Sequence, residues 1–319
     1  MQQDILPSIK KVIKTAQHVS VKKDAIERFC DSFSPTHIIT AELGNSDVLD
    51  ISRSIGLVCV FNCVNFCFWT SQGGEKWAVN IGGKPLDGAM GMFCALEAAL
   101  ERGVPLLDAH YLAELNREEF HELLDGNREI PLLDERVQNL QEAGKVLIES
   151  HDGSFMNVYN AAHNNAVELT NIFIKSFPSF DDYAVLNGQR IEFHKRAQLN
   201  ADMINYRLAK KGEKELQNLD KLTAFADYKV PQMLRKLGIL EYAAGLAHKV
   251  DSYIEIEAGS REEIEIRAAT VWAIEEMKNA LTPRYPKVTA RQLDDHLWTL
   301  GQAKSSDGKP YHRTRTIAY

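Results

Sequence analysis

Three cysteines follow one another at intervals of four residues in CVFNCVNFCFW, residues 59–69. On an α-helix, Cys59, Cys63 and Cys67 project on nearly the same side, an arrangement that invites a metal ion or a cluster. A tetrahedral zinc site needs four ligands and usually takes CxxC pairs, and this segment supplies no fourth ligand. Free cysteine is also among the most buried residue types. We therefore expect packing thiols and no metal site.

The opposite side of the same predicted helix combines amides with aromatic rings. Asn62, Asn65, Phe66 and Trp69 fall at i, i+3, i+4 and i+7, so they share one stripe. Aromatic rings beside amides are suited to a flat heterocycle, which stacks on the rings and forms hydrogen bonds at its edge. The alternative is a core face whose asparagines pair internally, because a buried unpaired amide costs about 1–3 kcal/mol.

Cationic side chains begin the segment HKRAQLNADMINY. His194, Lys195 and Arg196 stand at a predicted helix start, and Asp202 lies two turns further along. Positive groups at a helix N-terminus oppose the helix dipole unless an anion is there to share them. The segment therefore indicates either a solvated charged helix or a site for an anion.

Asp227 breaks a local rule in the segment LTAFADYKVPQMLRKLGIL. Pro231 disfavours helical backbone just before it, so we expect one helix to end near Asp227 and another to run from Pro231 to Gly238. A carboxylate at the C-terminal end of a helix is unfavourable. Residues that break a local rule are candidates for function, and Asp227 is therefore one.

Helical patterns dominate the elements that must position these groups. Apolar residues recur at helical spacing in residues 5–16, 23–33, 134–150 and 289–300. Asn187-Gly188 lies between two short β-type runs and predicts a hairpin, and a weaker one is expected around Gly73-Gly74. The chain is predicted to be mainly α, a single helical domain over residues 1–319 with one or two small β-hairpins.

The bulk composition is that of a soluble globular protein, with 45% hydrophobic and 25% charged residues. The net charge of −7 argues against DNA or tRNA as a direct partner, because a protein that neutralises many phosphates usually has a basic surface. A small anionic ligand requires only a local cluster of cations. We expect a small-molecule ligand.

The chain is expected to be cytoplasmic, with the nucleus left open. Its first residues, MQQDILPSIKKVIKTA, predict an amphipathic helix rather than a signal peptide. No stretch approaches the ~20 apolar residues of a membrane span. The five cysteines are an odd number and cluster together, which indicates a reducing compartment without disulfides.

A series of segments carries a family resemblance. They are VNFCFW (64–69), DGSFMN (152–157), FHKRAQ (193–198), FADYKVPQ (225–232), EIEIRAATVWAIE (263–275) and the terminal PYHRTRTIAY. Together, and in this order, they resemble the queuosine salvage proteins, the queuosine 5′-phosphate N-glycosylases/hydrolases. The resemblance runs from about residue 55 to the end, whereas residues 1–50, a helical N-terminal part, match weakly. In overall character the family resembles helix–hairpin–helix DNA glycosylases, which adds to the expectation of an α-helical fold.

The resemblance implies hydrolysis of the N-glycosidic bond of queuosine 5′-monophosphate, giving queuine and ribose 5-phosphate for queuine salvage and tRNA modification. Breaking this bond develops positive charge on the ribose, which a nearby carboxylate stabilises. We assign that carboxylate to Asp227, which also orients or deprotonates water. Lys195 is assigned an electrostatic and substrate-binding role at the same centre. No cofactor is expected.

The resemblance also implies a set of substrate contacts. Candidate walls for the base are aromatic, one acid is a partner for the cationic amine of the queuine side chain, and the basic residues are candidates for the phosphate. The substrate-binding residues are Asn65, Phe66, Trp69, Arg196, Asp202, Phe225, Tyr228, Trp272, His312 and Arg313. Gly88-Ala89-Met90 stands where family members carry an aromatic pair after a glycine, so one wall of the base pocket differs.

Two other functions remain open at this point. A DNA-glycosylase-like repair enzyme is disfavoured by the negative charge and by the absence of an LPGVG-type hairpin before Asp227. A non-catalytic nucleoside-binding protein is the alternative from a different class. A monomer without direct nucleic-acid binding or membrane association is expected in the enzymatic case.

Overall fold

The computed structural model describes residues 5–38, 43–44, 49–302 and 308–319 of the chain. Helices dominate these ranges, which confirms the prediction of a mainly α fold. The resemblance to helix–hairpin–helix glycosylases stays a prediction. Within the described ranges, no helix has the combination of length and apolar character that crossing a membrane requires.

In chain order the α-helices are α1 (Ile5–Thr15), α2 (Lys23–Ser32), α3 (Ile51–Val64), α4 (Gly88–Glu101), α5 (Ala109–Glu114), α6 (Arg117–Leu124), α7 (Leu133–Ser150), α8 (Phe155–Ala161), α9 (Ala166–Ser176), α10 (Lys195–Lys210), α11 (Lys229–Lys236), α12 (Ala244–Asp251), α13 (Arg261–Leu281) and α14 (Ala290–Leu300). The four helices whose bounds the apolar spacing predicts, α1, α2, α7 and α14, begin and end within one residue of the predicted positions.

The strands are short and form antiparallel pairs. They are β1 (Val19–Val21), β2 (Ala78–Ile81), β3 (Lys84–Asp87), β4 (Tyr183–Leu186), β5 (Gln189–Glu192) and β6 (Leu240–Tyr242). β2 pairs with β3 and β4 pairs with β5, while β1 pairs with β6, which lies far from it in the sequence. The two hairpins confirm the strand prediction. The β1–β6 pair was not predicted, because its residues are distant in sequence.

The hairpin turns occur where consecutive residues accept a positive φ. Asn187-Gly188 has φ values of 52° and 72°, as a primed two-residue turn requires. The second hairpin turns at Gly82-Gly83, with φ values of 57° and 81°. Its prediction at Gly73-Gly74 is wrong in position, because only the first glycine of that pair adopts a positive φ.

The described chain divides into two compact units. Unit 1 comprises Met1–Ala41, Asp182–Lys195 and Asp220–Arg315. Unit 2 comprises Glu42–Asp181, Arg196–Leu219 and Thr316–Tyr319. A single domain over residues 1–319 stays a prediction.

Unit 1 is built around α13, which packs against α1, α2 and α14. A helix that is apolar on most sides is a core helix, and α13 buries residues all round, from Ile264 to Leu281. Its first turns also bury charged side chains. Glu265, for example, accepts the N–H groups of Gln17 and His18 at 3.0 and 2.6 Å, where the chain leaves α1.

Unit 2 packs α3 against α4, α7 and α8. Phe61 on α3 meets Phe93 on α4 edge-on, with ring centroids 5.2 Å apart. Helices α5 and α7 approach closely at Gly144, where a Cβ atom would lie 2.3 Å from the backbone nitrogen of Ala113. A glycine is required there because the helix backbones leave no room for a side chain.

Candidate active site

Asp227 lies just before α11 rather than at the end of a helix. Residues 222–227 are irregular, and the Oδ1 atom of Asp227 accepts the N–H groups of Lys229 and Val230 at 2.8 and 2.9 Å. A carboxylate that accepts these first-turn N–H groups is stabilised by the N-terminal end of the helix dipole. The predicted helix end at Asp227 is therefore wrong. The start predicted at Pro231 is wrong by two residues, because a proline fits within the first turn of a helix.

The carboxylate of Asp227 is buried, with 7% of the residue exposed. Burial raises its pKa, and the positive charges of Lys195 and Lys229 and the two N–H groups oppose the rise without cancelling it. Hydrogen bonds from the described residues reach only Oδ1. The arrangement therefore fixes the side chain through one of its two oxygens.

Lys195 is held at the start of α10 by a buried acid. Its backbone N–H donates to Oδ2 of Asp182 at 3.0 Å, and Arg267 donates to both oxygens of Asp182 at 2.9 and 2.6 Å. Burial alone would raise the pKa of Asp182, but the Arg267 guanidinium outweighs it and the pKa is lowered. The cationic start of α10 predicted either a solvated helix or a nearby anion. The buried carboxylate of Asp182 is an anion of the protein itself at this position.

Asp294 is a second buried acid near Asp227, and sequence reasoning missed it. Its Oδ1 atom accepts the backbone N–H of Phe225 at 2.9 Å. Burial first, and then repulsion by Asp227, raises the pKa of Asp294 well above its ordinary value. The signal available in the sequence was an acid on the apolar side of α14, four residues after Ala290 and three before Leu297.

The aromatic candidates around Asp227 have different surroundings. Phe225 is buried, whereas Tyr228 is half-buried, and its ring centroid lies 4.9 Å from that of Tyr311. Tyr311, which is not among the predicted site residues, also has the Lys229 ammonium 5.2 Å from its ring centroid. Tyr228 directly follows Asp227 in the chain, so the Tyr228–Tyr311 pair is an aromatic group close to the candidate carboxylate.

The C-terminal candidates supply less positive charge than their sequence suggests. His312 is buried, and burial together with the neighbouring Arg267 lowers its pKa to about 3, so the imidazole is neutral near pH 7. The guanidinium of Arg313 lies 4.6 Å from the ring centroid of Tyr253. These contacts give no support to His312 as a phosphate cation, and the roles of both residues stay predictions.

Trp272 lies on α13 and is half-buried. The ammonium of Lys10 on α1 lies 5.9 Å from the centroid of its ring, a distance compatible with a cation–π contact. Its role in substrate binding stays a prediction.

The cysteine segment in unit 2 is helical only in part. Helix α3 ends at Val64, and Cys67 has a φ of 44°, so the predicted stripe from Asn62 to Trp69 is not continuous. All three thiols are buried, and burial raises the pKa of Cys59 and of Cys63. Thiols in this state behave as small apolar packing groups.

The amides at the end of α3 pair with their protein neighbours. Asn62 donates to the carbonyl of Val58 at 3.0 Å and to Asn200 at 3.2 Å, while Asn65 donates to Asn62 at 3.4 Å. Trp69 is also buried. The contacts correspond to the core-face alternative for this segment, and the substrate roles of Asn65 and Trp69 stay predictions.

Two buried arginines satisfy the carbonyl groups at the end of α3. Arg136 donates to Val64, Phe66 and Cys67, and Arg196 donates to Asn62, Cys63 and Ser179. Both guanidinium groups also lie over the ring of Phe66, 4.4 and 5.4 Å from its centroid. These contacts favour structural roles for Arg196 and Phe66, whose substrate roles are predictions only. Asp202 is half-buried on α10.

The structure therefore places the site candidates in two groups. Within unit 1, Lys195, Phe225, Asp227 and Tyr228 lie together with the additional Asp294. Within unit 2, the described side chains of Asn65, Phe66, Trp69 and Arg196 belong to a buried cluster at the end of α3.

Comparison with known proteins identifies relatives over most of the chain. A family model described as queuosine salvage protein matches residues 49–319. The queuosine 5′-phosphate N-glycosylase/hydrolase of Sphaerobacter thermophilus is 40% identical over 319 residues, which cover 99% of this chain and 97% of that protein. The protein of the same name from Mus musculus is 34% identical and covers 83% of this chain and 82% of its own. That from Schizosaccharomyces pombe is 26% identical, with 89% and 85% covered.

Proposed function

The chain belongs to the queuosine salvage protein family, and on that premise we propose that it hydrolyses the N-glycosidic bond of queuosine 5′-monophosphate. The products are queuine and ribose 5-phosphate, and the released queuine serves tRNA modification. The observation that supports this proposal most directly is the buried carboxylate of Asp227, held through one oxygen and paired electrostatically with Lys195.

The reaction requires negative charge near the anomeric carbon. The bond from C1′ to the base nitrogen breaks, its electron pair stays on the base, and the ribose acquires oxocarbenium character. Oδ2 of Asp227 stabilises this cation and accepts a proton from the attacking water, whose oxygen bonds to C1′. The base nitrogen takes up one proton from the solvent, and Asp227 releases the proton that it accepted to the solvent. The sum of the reaction is therefore the addition of one water molecule.

A 7-deazapurine base increases the demand on these groups. It has a carbon atom where a purine has N7, so protonation of N7 cannot assist its departure. Stabilisation of the sugar cation by Asp227 therefore carries more of the catalysis. Lys195 binds oxygen atoms of the substrate, and its positive charge opposes the rise that burial causes in the pKa of Asp227.

The remaining contacts are part of the same proposal. Phe225 and Tyr228 form walls for the base, and Asp202 pairs with the cationic amine of the queuine side chain. Arg313 is the proposed phosphate ligand of the tail, since the buried imidazole of His312 carries no charge near pH 7. The enzyme acts as a cytoplasmic monomer, with the nucleus as the alternative compartment, and requires no nucleic acid.

The experiment is to incubate the purified protein separately with queuosine 5′-monophosphate, queuosine and GMP and to measure released base by chromatography and mass spectrometry. We expect queuine from the 5′-monophosphate and no guanine from GMP. Release from free queuosine as well would extend the substrate range without changing the reaction. No queuine from either queuosine compound would overturn the proposal, and tight binding without release would favour a nucleoside-binding protein.

A further inference from the structure

Asp294 is a buried acid with a defined position. It lies on α14, whose start is fixed by a capping box in which Thr289 and Gln292 satisfy each other's backbone N–H groups. Only 3% of Asp294 is exposed. Its Oδ1 atom accepts the N–H of Phe225, so the carboxyl holds the irregular segment that leads into Asp227.

The two carboxyl groups are close enough to influence each other's ionisation. Asp227 repels a negative charge on Asp294, Asp295 on the same helix adds to this repulsion, and Lys195 opposes it. Lys195 and Lys229 are the cations that act on Asp227. Two buried carboxyl groups that repel each other do not both ionise as readily as isolated aspartates do.

The surrounding contacts favour a proton on Asp294 over one on Asp227. The carboxylate of Asp227 accepts two N–H groups at the start of α11, whereas the carboxyl of Asp294 accepts one. Burial and repulsion raise the pKa of Asp294 well above its ordinary value, and the cations beside Asp227 moderate the rise there. A neutral Asp294 still accepts the N–H of Phe225, because a carboxylic acid keeps acceptor capacity.

We infer that Asp294 is a positioning residue for the hydrolysis. It anchors the segment from Phe225 to Asp227 and remains a neutral carboxylic acid, so that Asp227 alone carries the negative charge of the pair. The inference rests on the proposed function. Its physical basis is that an ionised Asp294 would place a second buried charge beside Asp227, and that loss of the acceptor would leave the buried N–H of Phe225 without a partner and displace Asp227.

The test compares Asp294→Ala, Asp294→Asn and the control Asp295→Asn on the neighbouring, half-buried acid. Asp294→Ala lowers kcat about 100-fold with KM within about threefold, because misplacing a reacting group by about 1 Å costs that much. Asp294→Asn, neutral and able to accept the same N–H, recovers at least about tenfold of this loss. Asp295→Asn stays close to wild type at pH 7.

The pH profile separates this role from simple core packing. In the wild type, kcat falls at alkaline pH as Asp294 ionises beside Asp227, and Asp294→Asn lacks this contribution to the alkaline limb. Asparagine and alanine variants with equal kcat values and wild-type-like pH profiles would overturn the inference.

A second measurement does not depend on activity. A raised folded-state pKa means that stability from a protonated Asp294 is complete below its unfolded-state pKa of about 3.9 and is lost as pH rises toward the folded-state value. As pH rises from 5 to 8, the free energy of unfolding of Asp294→Asn therefore increases relative to that of the wild type, which urea unfolding measures. A constant difference between the two proteins would overturn the neutral state of Asp294. If the wild type hydrolyses none of the compounds, the proposed function fails, and this unfolding comparison still decides whether Asp294 is a neutral acid in the folded protein.

Discussion

Arg267 and Asp182 form a buried, two-pronged ion pair in which Nη1 lies 2.9 Å from Oδ1 and Nη2 lies 2.6 Å from Oδ2. The same carboxylate accepts the backbone N–H of Lys195, and the carbonyl oxygen of Asp182 accepts those of Phe193 and His194. His194 adopts a φ of 51°, in the left-handed region. The ion pair therefore holds the backbone from which the Lys195 side chain extends.

We expect Asp182→Asn to destabilise the protein by about 3 kcal/mol, because it leaves the buried Arg267 charge without its partner. It also lowers kcat, since the single side-chain oxygen of asparagine cannot hold both Arg267 and the backbone of Lys195 as the carboxylate does. Urea unfolding and steady-state kinetics check both effects. Asp24→Asn is the control, because its ion pair with Arg28 is exposed. A stability for Asp182→Asn equal to that of this control would contradict the assignment.

Asp227→Asn removes the negative charge while leaving an oxygen that can accept the N–H groups at the start of α11. We expect kcat to fall by about 10²–10⁴-fold with substrate binding retained. Kinetics and equilibrium binding measure the two quantities. Asp220→Asn, on an exposed acid, is the matched control. Turnover close to wild type would rule out Asp227 as the catalytic carboxylate.

The raised pKa of Asp227 also sets the acid side of the activity profile. Catalysis requires the ionised form. As pH falls, kcat therefore begins to decline at a pH higher than the ordinary aspartate pKa of about 3.9. The pH dependence of kcat between pH 4 and pH 8 measures this shift. An acid limb at or below the ordinary value would disagree with the burial of this carboxyl.

The guanidinium of Arg136 satisfies three carbonyl groups that follow the last turn of α3. We expect Arg136→Met to destabilise the protein by about 3 kcal/mol, because buried acceptors lose their partners. Arg136→Lys recovers little, since one ammonium cannot reproduce the planar fork. Arg117→Met, which removes an exposed ion-pairing arginine, is the control in the same unfolding experiment. Equal midpoints for Arg136→Met and Arg117→Met would refute this role.

His312 is buried in its neutral form, with a pKa of about 3. Because the unfolded chain binds a proton below about pH 6.5, the stabilisation from this group is present above that pH and is lost as pH falls toward 3. The loss between pH 7 and pH 5 is about 2 kcal/mol. In urea unfolding, His312→Gln does not show this decrease in the free energy of unfolding between pH 7 and pH 5. The exposed control His110→Gln shows the same decrease as the wild type. A pH dependence unchanged by His312→Gln would contradict the burial argument.

Local patterns predicted much of the fold. Apolar spacing indicated the helices, and Asn187-Gly188 predicted its hairpin because the turn requires two residues that accept a positive φ. The β1–β6 pair escaped prediction, and so did the end of α3 at Val64, because both depend on contacts with residues distant in sequence.

The sequence by itself determined the helical class through its apolar spacing and the family through the order of its motifs, and it made Asp227 and Lys195 candidates for the site. Only the tertiary structure decided what surrounds them. It placed Asp294 beside Asp227 and Asp182 beneath Lys195, and it gave Arg196 backbone carbonyls as partners. Burial and the proximity of charges set the ionisation of a side chain, and both depend on residues that the chain brings together only when it folds.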